Sequence, residues 1–146
     1  MIYSAGIIPF RVNKDTNITE FFVGHPGGEW SRKNYWAFLK GHVEKTESWA
    51  DAAIREFKEE SGLTMEDCES QMLIPLGSVL QNSNKTVIAF ALHYPNINPN
   101  ECVSNLTEKG FPEIDMYKWM NLEELKSVTH PTHLNFYEQI ISRLND

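Results

Sequence analysis

A chain of 146 residues, 41% of them hydrophobic, is long enough for one substantial core and too short for two ordinary domains. A formal net charge of −7 opposes unaided binding to a nucleic-acid backbone or an anionic membrane, since both need clustered Lys and Arg. A protein this acidic that acts on phosphates has to recruit a cation.

From the N-terminus, Ile2 to Val12 is apolar and β-branched and reads as a strand. It has neither a basic leader nor the length of a membrane span, so a signal peptide and a membrane association are not expected. The polar run Asn13 to Asn17 then leads into a second strand at Thr19 to Gly24. The turn-rich stretch His25 to Asn34 follows, carrying Trp30, Arg32 and Lys33, and loops of this composition commonly contact ligands. Tyr35 to Leu39 reads as a short aromatic strand that delivers Lys40 and Gly41. Beyond the central segment described below, Met72 to Leu80 and Lys85 to Tyr94 are apolar strands around the hairpin loop Gln81 to Asn84. After irregular stretches near Tyr94 to Asn100 and Thr107 to Pro112, Glu113 to Met120 returns as a strand. A short helix through Leu125 and Lys126 precedes a longer one between Pro131 and Leu144, where Leu134, Tyr137, Ile140, Ile141 and Leu144 keep helical spacing. Cys68 and Cys102 have no paired motif, which fits a reducing, cytoplasmic setting.

The central segment runs from Gly41 to Leu63. Ser48 and Asp51 form a capping pattern, and Gly62 suits the left-handed position that ends a helix. Ala50, Ala53, Ile54 and Phe57 make an apolar stripe, while Glu56, Glu59 and Glu60 fall within an arc of roughly 100° beside it. Such like charges repel by about 3 kcal/mol per pair at about 5.5 Å if the effective dielectric drops to about 20. In a cleft a hard divalent cation would relieve that repulsion; on an open surface the same residues would be a solvated face. Glu56 and Glu60, one turn apart, are the pair best placed to share a metal.

Gly41, Glu47, Arg55, Glu56, Phe57, Glu59, Glu60, Gly62 and Leu63 together fill every defined position of a pattern that resembles the Nudix hydrolase signature. The resemblance implies an α/β/α sandwich around a mixed β-sheet, with the signature as a loop-helix-loop. It implies Mg²⁺, with Mn²⁺ as a substitute, held by Glu56, Glu59, Glu60 and the Gly41 carbonyl. It also implies that Arg55 pairs with Glu47 to hold the loop against the helix, and that a carboxylate from a distant loop serves as base or extra ligand. Glu113 is the best match for that carboxylate, with Asp115 the weaker choice. A proline usually precedes the Lys-Gly pair in relatives, and Leu39 stands there instead.

Outside the signature, HPGG, PLGSVLQNSNKTVIAFAL and FPEID look like a MutT-like branch of nucleoside triphosphate pyrophosphohydrolases, also similar to diadenosine tetraphosphate hydrolases. The expected activity is Mg²⁺-dependent cleavage of a phosphoanhydride in a nucleoside diphosphate linked to another moiety, a nucleoside triphosphate first. The alternatives are a diadenosine polyphosphate hydrolase and a non-catalytic nucleotide-sensing module. RNA-end decapping would need a basic approach surface, so a small nucleotide and not a nucleic-acid polymer is the expected partner, for a monomer or homodimer. Lys40, Trp30, Tyr35 and Gln81 are the candidate substrate contacts, joined by Phe38.

Overall fold

The computed structural model describes residues 1–28 and 35–145. Strand β1 (Ile2–Val12) organises the sheet, because both its edges are used. One edge runs parallel to β5 (Lys85–His93), in register from Ile2 opposite Lys85 to Phe10 opposite His93. The other is divided. Phe10 to Val12 pair antiparallel with β2 (Thr19–Pro26), and Ser4 to Gly6 pair antiparallel with β3 (Lys40–His42). Outward from this centre, β4 (Ile74–Asn82) forms a hairpin with β5, and β6 (Ile114–Asn121) lies against β2. The strand order is β4-β5-β1-β2-β6, with β3 off that path.

The two-residue period of these strands sorts apolar side chains into two layers. Ile8, Phe10, Phe21, Val23, Val87, Ala89 and Ala91 face α2 (Leu122–Lys126) and α3 (Leu134–Leu144), where Leu125, Phe136, Tyr137 and Ile140 are buried with them. Ala5, Ile7, Phe22, Ile88, Phe90 and Leu92 face α1 (Trp49–Ser61) and its Ala52, Ala53 and Phe57. Phe22 and Phe57 sit 6.1 Å apart at a tilt of 60°. Each phenyl ring so buried contributes about 1.5–3 kcal/mol. The expected α/β/α sandwich around a mixed sheet is the observed architecture. Among the described residues no helix is long and apolar enough to cross a membrane.

Helix α1 starts and stops where its sequence directs. The Ser48 hydroxyl accepts from the Asp51 N–H at 3.1 Å, and Gly62 adopts φ 74°, letting its N–H reach the Lys58 carbonyl at 2.9 Å. Elsewhere the local reading needs correction. Tyr35 to Leu39 is not a strand: Gly24 and Ala37 form one isolated bridge, and regular pairing starts at Lys40. The stretch keeps alternating character, since Trp36 and Phe38 enter one layer and Leu39 the other. Burial on both sides satisfies its side chains, while β3 already occupies the β1 edge over Ser4 to Gly6. Strand β4 also begins later than its apolar pattern suggested, at Ile74, because Ser70–Met72 is a 3₁₀ turn. The final helix is likewise preceded by a 3₁₀ turn at Pro131–His133.

Candidate active site

Arg55 anchors the segment between β3 and α1. Its Nε and Nη2 donate to the two Glu47 oxygens at 3.1 and 2.7 Å, a bidentate pairing. Nη2 also donates to the His42 carbonyl at 2.9 Å, so the guanidinium ties the end of β3 to the helix. Nη1 meets Glu56 at 2.9 Å and Glu59 at 3.3 Å. Hydrogen bonding from Arg55 pulls the Glu47 carboxyl below the usual range, and Glu47 and Glu56 hold the guanidinium more firmly charged.

Behind this pairing the carboxylates crowd. A Cβ built on Gly41 would meet the Glu56 carboxylate at 2.1 Å, so a side chain there would have to displace that carboxylate from its place beside the loop. Glu60, one turn further along α1, is only 4% exposed, whereas its neighbour Glu59 is on the surface. Burial and then the Glu56 charge push the Glu60 carboxyl well above its ordinary pKa, with Lys40 opposing. Burial also raises Glu56, against the pull of Arg55, and the Glu56 and Glu60 carboxyls influence each other's ionisation. The Tyr117 hydroxyl donates to the Glu60 carbonyl and joins the end of α1 to β6.

Glu60 opens onto a cleft of about 630 Å³. The end of β2, the start of β3, the β4–β5 hairpin tip and the turn before α3 enclose it. Lys40 and Lys85 stand in this cleft. Burial and then Lys85 push Lys40 down to about 8, while Glu60 pulls it back up. Burial lowers Lys85 as well, with Glu60 again opposing. The cavity therefore has two lysines and a buried carboxylate within electrostatic reach of one another.

The residues singled out from sequence divide into groups. Gly41, Glu47, Arg55, Glu56 and Glu59 gather at the loop-helix junction, and Glu60 connects that junction to the cleft. Lys40, Tyr35, Gln81 and Glu113 all line the cleft. Phe38 also lines it but is 1% exposed, and its ring belongs mainly to the core. Trp30 lies outside the described residues. Asp115 is engaged by His25, whose Nδ1 is 2.7 Å from its Oδ1. Lys85, Asn82, His130 and His133 line the cleft too, and the sequence reading missed them. Two signals were available. A tight hairpin sets Asn82 opposite Lys85 and so brings Lys85 beside Gln81. In His130-Pro-Thr-His133, a spacing of three on a 3₁₀ turn eclipses the two histidines on one side.

The donor chemistry suits a hard cation: two crowded carboxylates, one buried, against a glycine backbone with no side chain in the way. As the side chains stand, no group of three or more His, Cys, Asp or Glu among the described residues is arranged to hold a metal. Arg55 accounts for part of this, since it takes up both Glu56 and Glu59.

Comparison with known proteins adds to this geometry. The NUDIX domain model matches residues 5–144. The mRNA decapping complex subunit 2 of Schizosaccharomyces pombe is 29% identical over 116 residues, covering 77% of this chain and 14% of that protein. The chain spans between 14% and 34% of the length of the curated relatives it matches. Among solved structures, a binary complex of the C. elegans Ap4A hydrolase superposes with a TM-score of 0.69 at 22% identity, covering 99% of this chain and 98% of that one. The E. coli dihydroneopterin triphosphate pyrophosphohydrolase gives a TM-score of 0.69 at 18% identity, covering 96% and 95%. At such identities the likeness is one of fold.

Proposed function

The chain belongs to the NUDIX domain family, and on that premise we propose that it hydrolyses the phosphoanhydride of a nucleoside diphosphate linked to another moiety, most readily a nucleoside triphosphate. The observation that carries this reading is the cleft in which buried Glu60 shares one cavity with Lys40 and Lys85. Hydrolysing a phosphoanhydride needs positive charge at the phosphoryl oxygens and a positioned, partly deprotonated water. Lys40 and Lys85 supply the first from the protein itself.

Glu56, Glu59 and Glu60, with the Gly41 carbonyl, are the groups that would hold Mg²⁺ or Mn²⁺. When bound, such an ion neutralises phosphoryl charge and acidifies water. Arg55 and Glu47 keep the loop carrying Gly41 against α1 by their bidentate pairing. Glu113, exposed at the cleft, acts as general base or as an additional ligand, free of the His25 contact that engages Asp115. Tyr35 offers an exposed ring at the cleft for a nucleobase to stack on. Every signature carboxylate is present, which favours an enzyme over a nucleotide sensor. Cys68 and Cys102 are free thiols, as suits the cytoplasm.

The decapping relative favours adding a cap structure to the candidate substrates, because a cap is also a nucleoside diphosphate linked to a second group. The net charge of −7 still opposes a long RNA chain as partner. The test is a panel of nucleoside triphosphates, diadenosine polyphosphates and cap dinucleotide with Mg²⁺ or Mn²⁺, followed by ¹⁸O-water labelling of products from the best substrate. Turnover with label in a phosphate product supports the proposal; no turnover across the panel refutes it.

A further inference from the structure

The roles above leave one buried histidine of the cleft unused. His133 is 2% exposed, with its ring centred 5.4 Å from Phe38 and 6.4 Å from Phe136. Its Nε2 lies 2.8 Å from the Gln81 carbonyl oxygen Oε1. A carbonyl oxygen can only accept, so Nε2 carries a proton and donates it. Nδ1 is buried without a hydrogen-bond partner among the described residues, which leaves it the unprotonated nitrogen. Burial, followed by the charges of Lys40, His130 and Lys85, holds the ring neutral. His133 is thus a fixed single donor and not an acid or base for the reaction.

Gln81 takes its orientation from this contact. With one lone pair of Oε1 taken by His133, the Gln81 amide turns both of its N–H donors away from that contact. Turning the amide over would require the other tautomer, whose N–H at the buried Nδ1 has no acceptor among the described residues. Gln81 shares the cleft with Lys40 and Lys85, and an ammonium also has donors alone. With three donor-bearing side chains, this corner suits an anionic group made of acceptors.

We propose that His133 is a positioning residue which, by holding the Gln81 carbonyl, turns the Gln81 amide nitrogen onto a phosphoryl oxygen of the substrate beside Lys40 and Lys85. The inference rests on the hydrolase reading and identifies the part of the substrate this corner takes: a fully ionised phosphate of the polyphosphate chain.

The test uses inorganic tripolyphosphate as probe, titrated calorimetrically into the metal-free protein. Gln81→Ala raises Kd about tenfold, and His133→Met, which removes the donor, about fivefold. In the double variant the loss equals that of Gln81→Ala alone, because His133 acts through Gln81. His133→Gln, whose amide can donate to the same carbonyl, recovers most of the His133→Met loss. Additive losses, or unaltered binding in Gln81→Ala, overturn the proposal. Should the His133 variants fail to fold, ¹⁵N NMR of the unsubstituted protein decides: a neutral Nε2–H ring from pH 5 to 8 is expected, and an Nδ1–H tautomer or a charged ring overturns it. Non-additive binding without nucleotide turnover removes the hydrolase reading and keeps the corner. Turnover with additive binding does the reverse.

Discussion

The Glu56 carboxylate occupies the space a side chain on Gly41 would need, its Cδ lying 2.1 Å from where a Cβ would be. Loop and helix are therefore fitted to each other through an absent side chain. Gly41→Ala must drive the carboxylate away or move the loop off α1. A displacement near 1 Å at reacting groups lowers turnover by about 100-fold. Steady-state kcat/KM on the best nucleotide checks this, and a rate near that of the unsubstituted protein would contradict it.

Glu60 has a folded pKa raised by burial and by Glu56. Between its unfolded and folded values the native state binds more protons than the unfolded one, so stability falls as pH rises through that interval. Glu60→Gln removes this dependence. In EDTA the variant is expected to melt a few degrees above the unsubstituted protein at pH 8, the gap closing as pH falls toward about 4.5. Its hydrolytic rate should nonetheless drop about 1,000-fold. Scanning calorimetry across pH, paired with turnover, tests both halves; a variant less stable at pH 8 would count against the crowded carboxylates.

Arg55 contacts Glu47 with two nitrogens while also donating to the His42 carbonyl, which a planar guanidinium can do and an ammonium cannot. Arg55→Lys should lower stability by about 1–2 kcal/mol. Activity should fall further than that loss explains, because the loop carrying Gly41 is freed. Urea denaturation and kcat measured on the same preparation separate the two effects.

Lys40, pushed down to about 8, loses its charge at a pH where an ordinary lysine keeps it. Tripolyphosphate affinity should weaken as pH rises from 7 to 9.5, and Lys40→Arg should flatten that profile in part, leaving the share carried by Lys85, which burial also lowers. A buried lysine of lowered pKa has the opposite effect on folding: the unfolded chain holds the proton more tightly, so the contribution to stability rises from about pH 8 upward. Identical binding profiles for both proteins would rule Lys40 out as the titrating group.

Glu113 is exposed at the cleft, so Glu113→Gln should change stability by no more than about 0.5 kcal/mol. If it is the base, kcat should fall by about 100- to 1,000-fold while KM changes little. Asp115→Asn, at the carboxylate engaged by His25, is the comparison, and equal losses in both would remove the distinction between them.

The Nudix resemblance implied the pairing of Arg55 with Glu47, and the sequence by itself determined α1 with its Ser48 and Gly62 ends and the apolar strands β1, β2 and β5. These follow from backbone geometry over a few residues, and 3.6- and 2-residue periods are written directly in the order of side chains. Tertiary structure alone decided that Glu60 is buried and adjacent Glu59 exposed, and that Tyr35 to Leu39 packs into both layers without becoming a strand. It also decided that Gln81 meets His133 across 52 residues and that Tyr117 reaches Glu60 across 57. Burial of a given carboxylate depends on which distant element covers it, and the cleft exists because the end of β2, the start of β3, the β4–β5 hairpin tip and the turn before α3 meet around it. No period in the chain encodes such contacts, so Lys40, Tyr35, Gln81 and Glu113 could be named as candidates from sequence, but that they share one cavity with Lys85, His130 and His133 was decided by the tertiary structure.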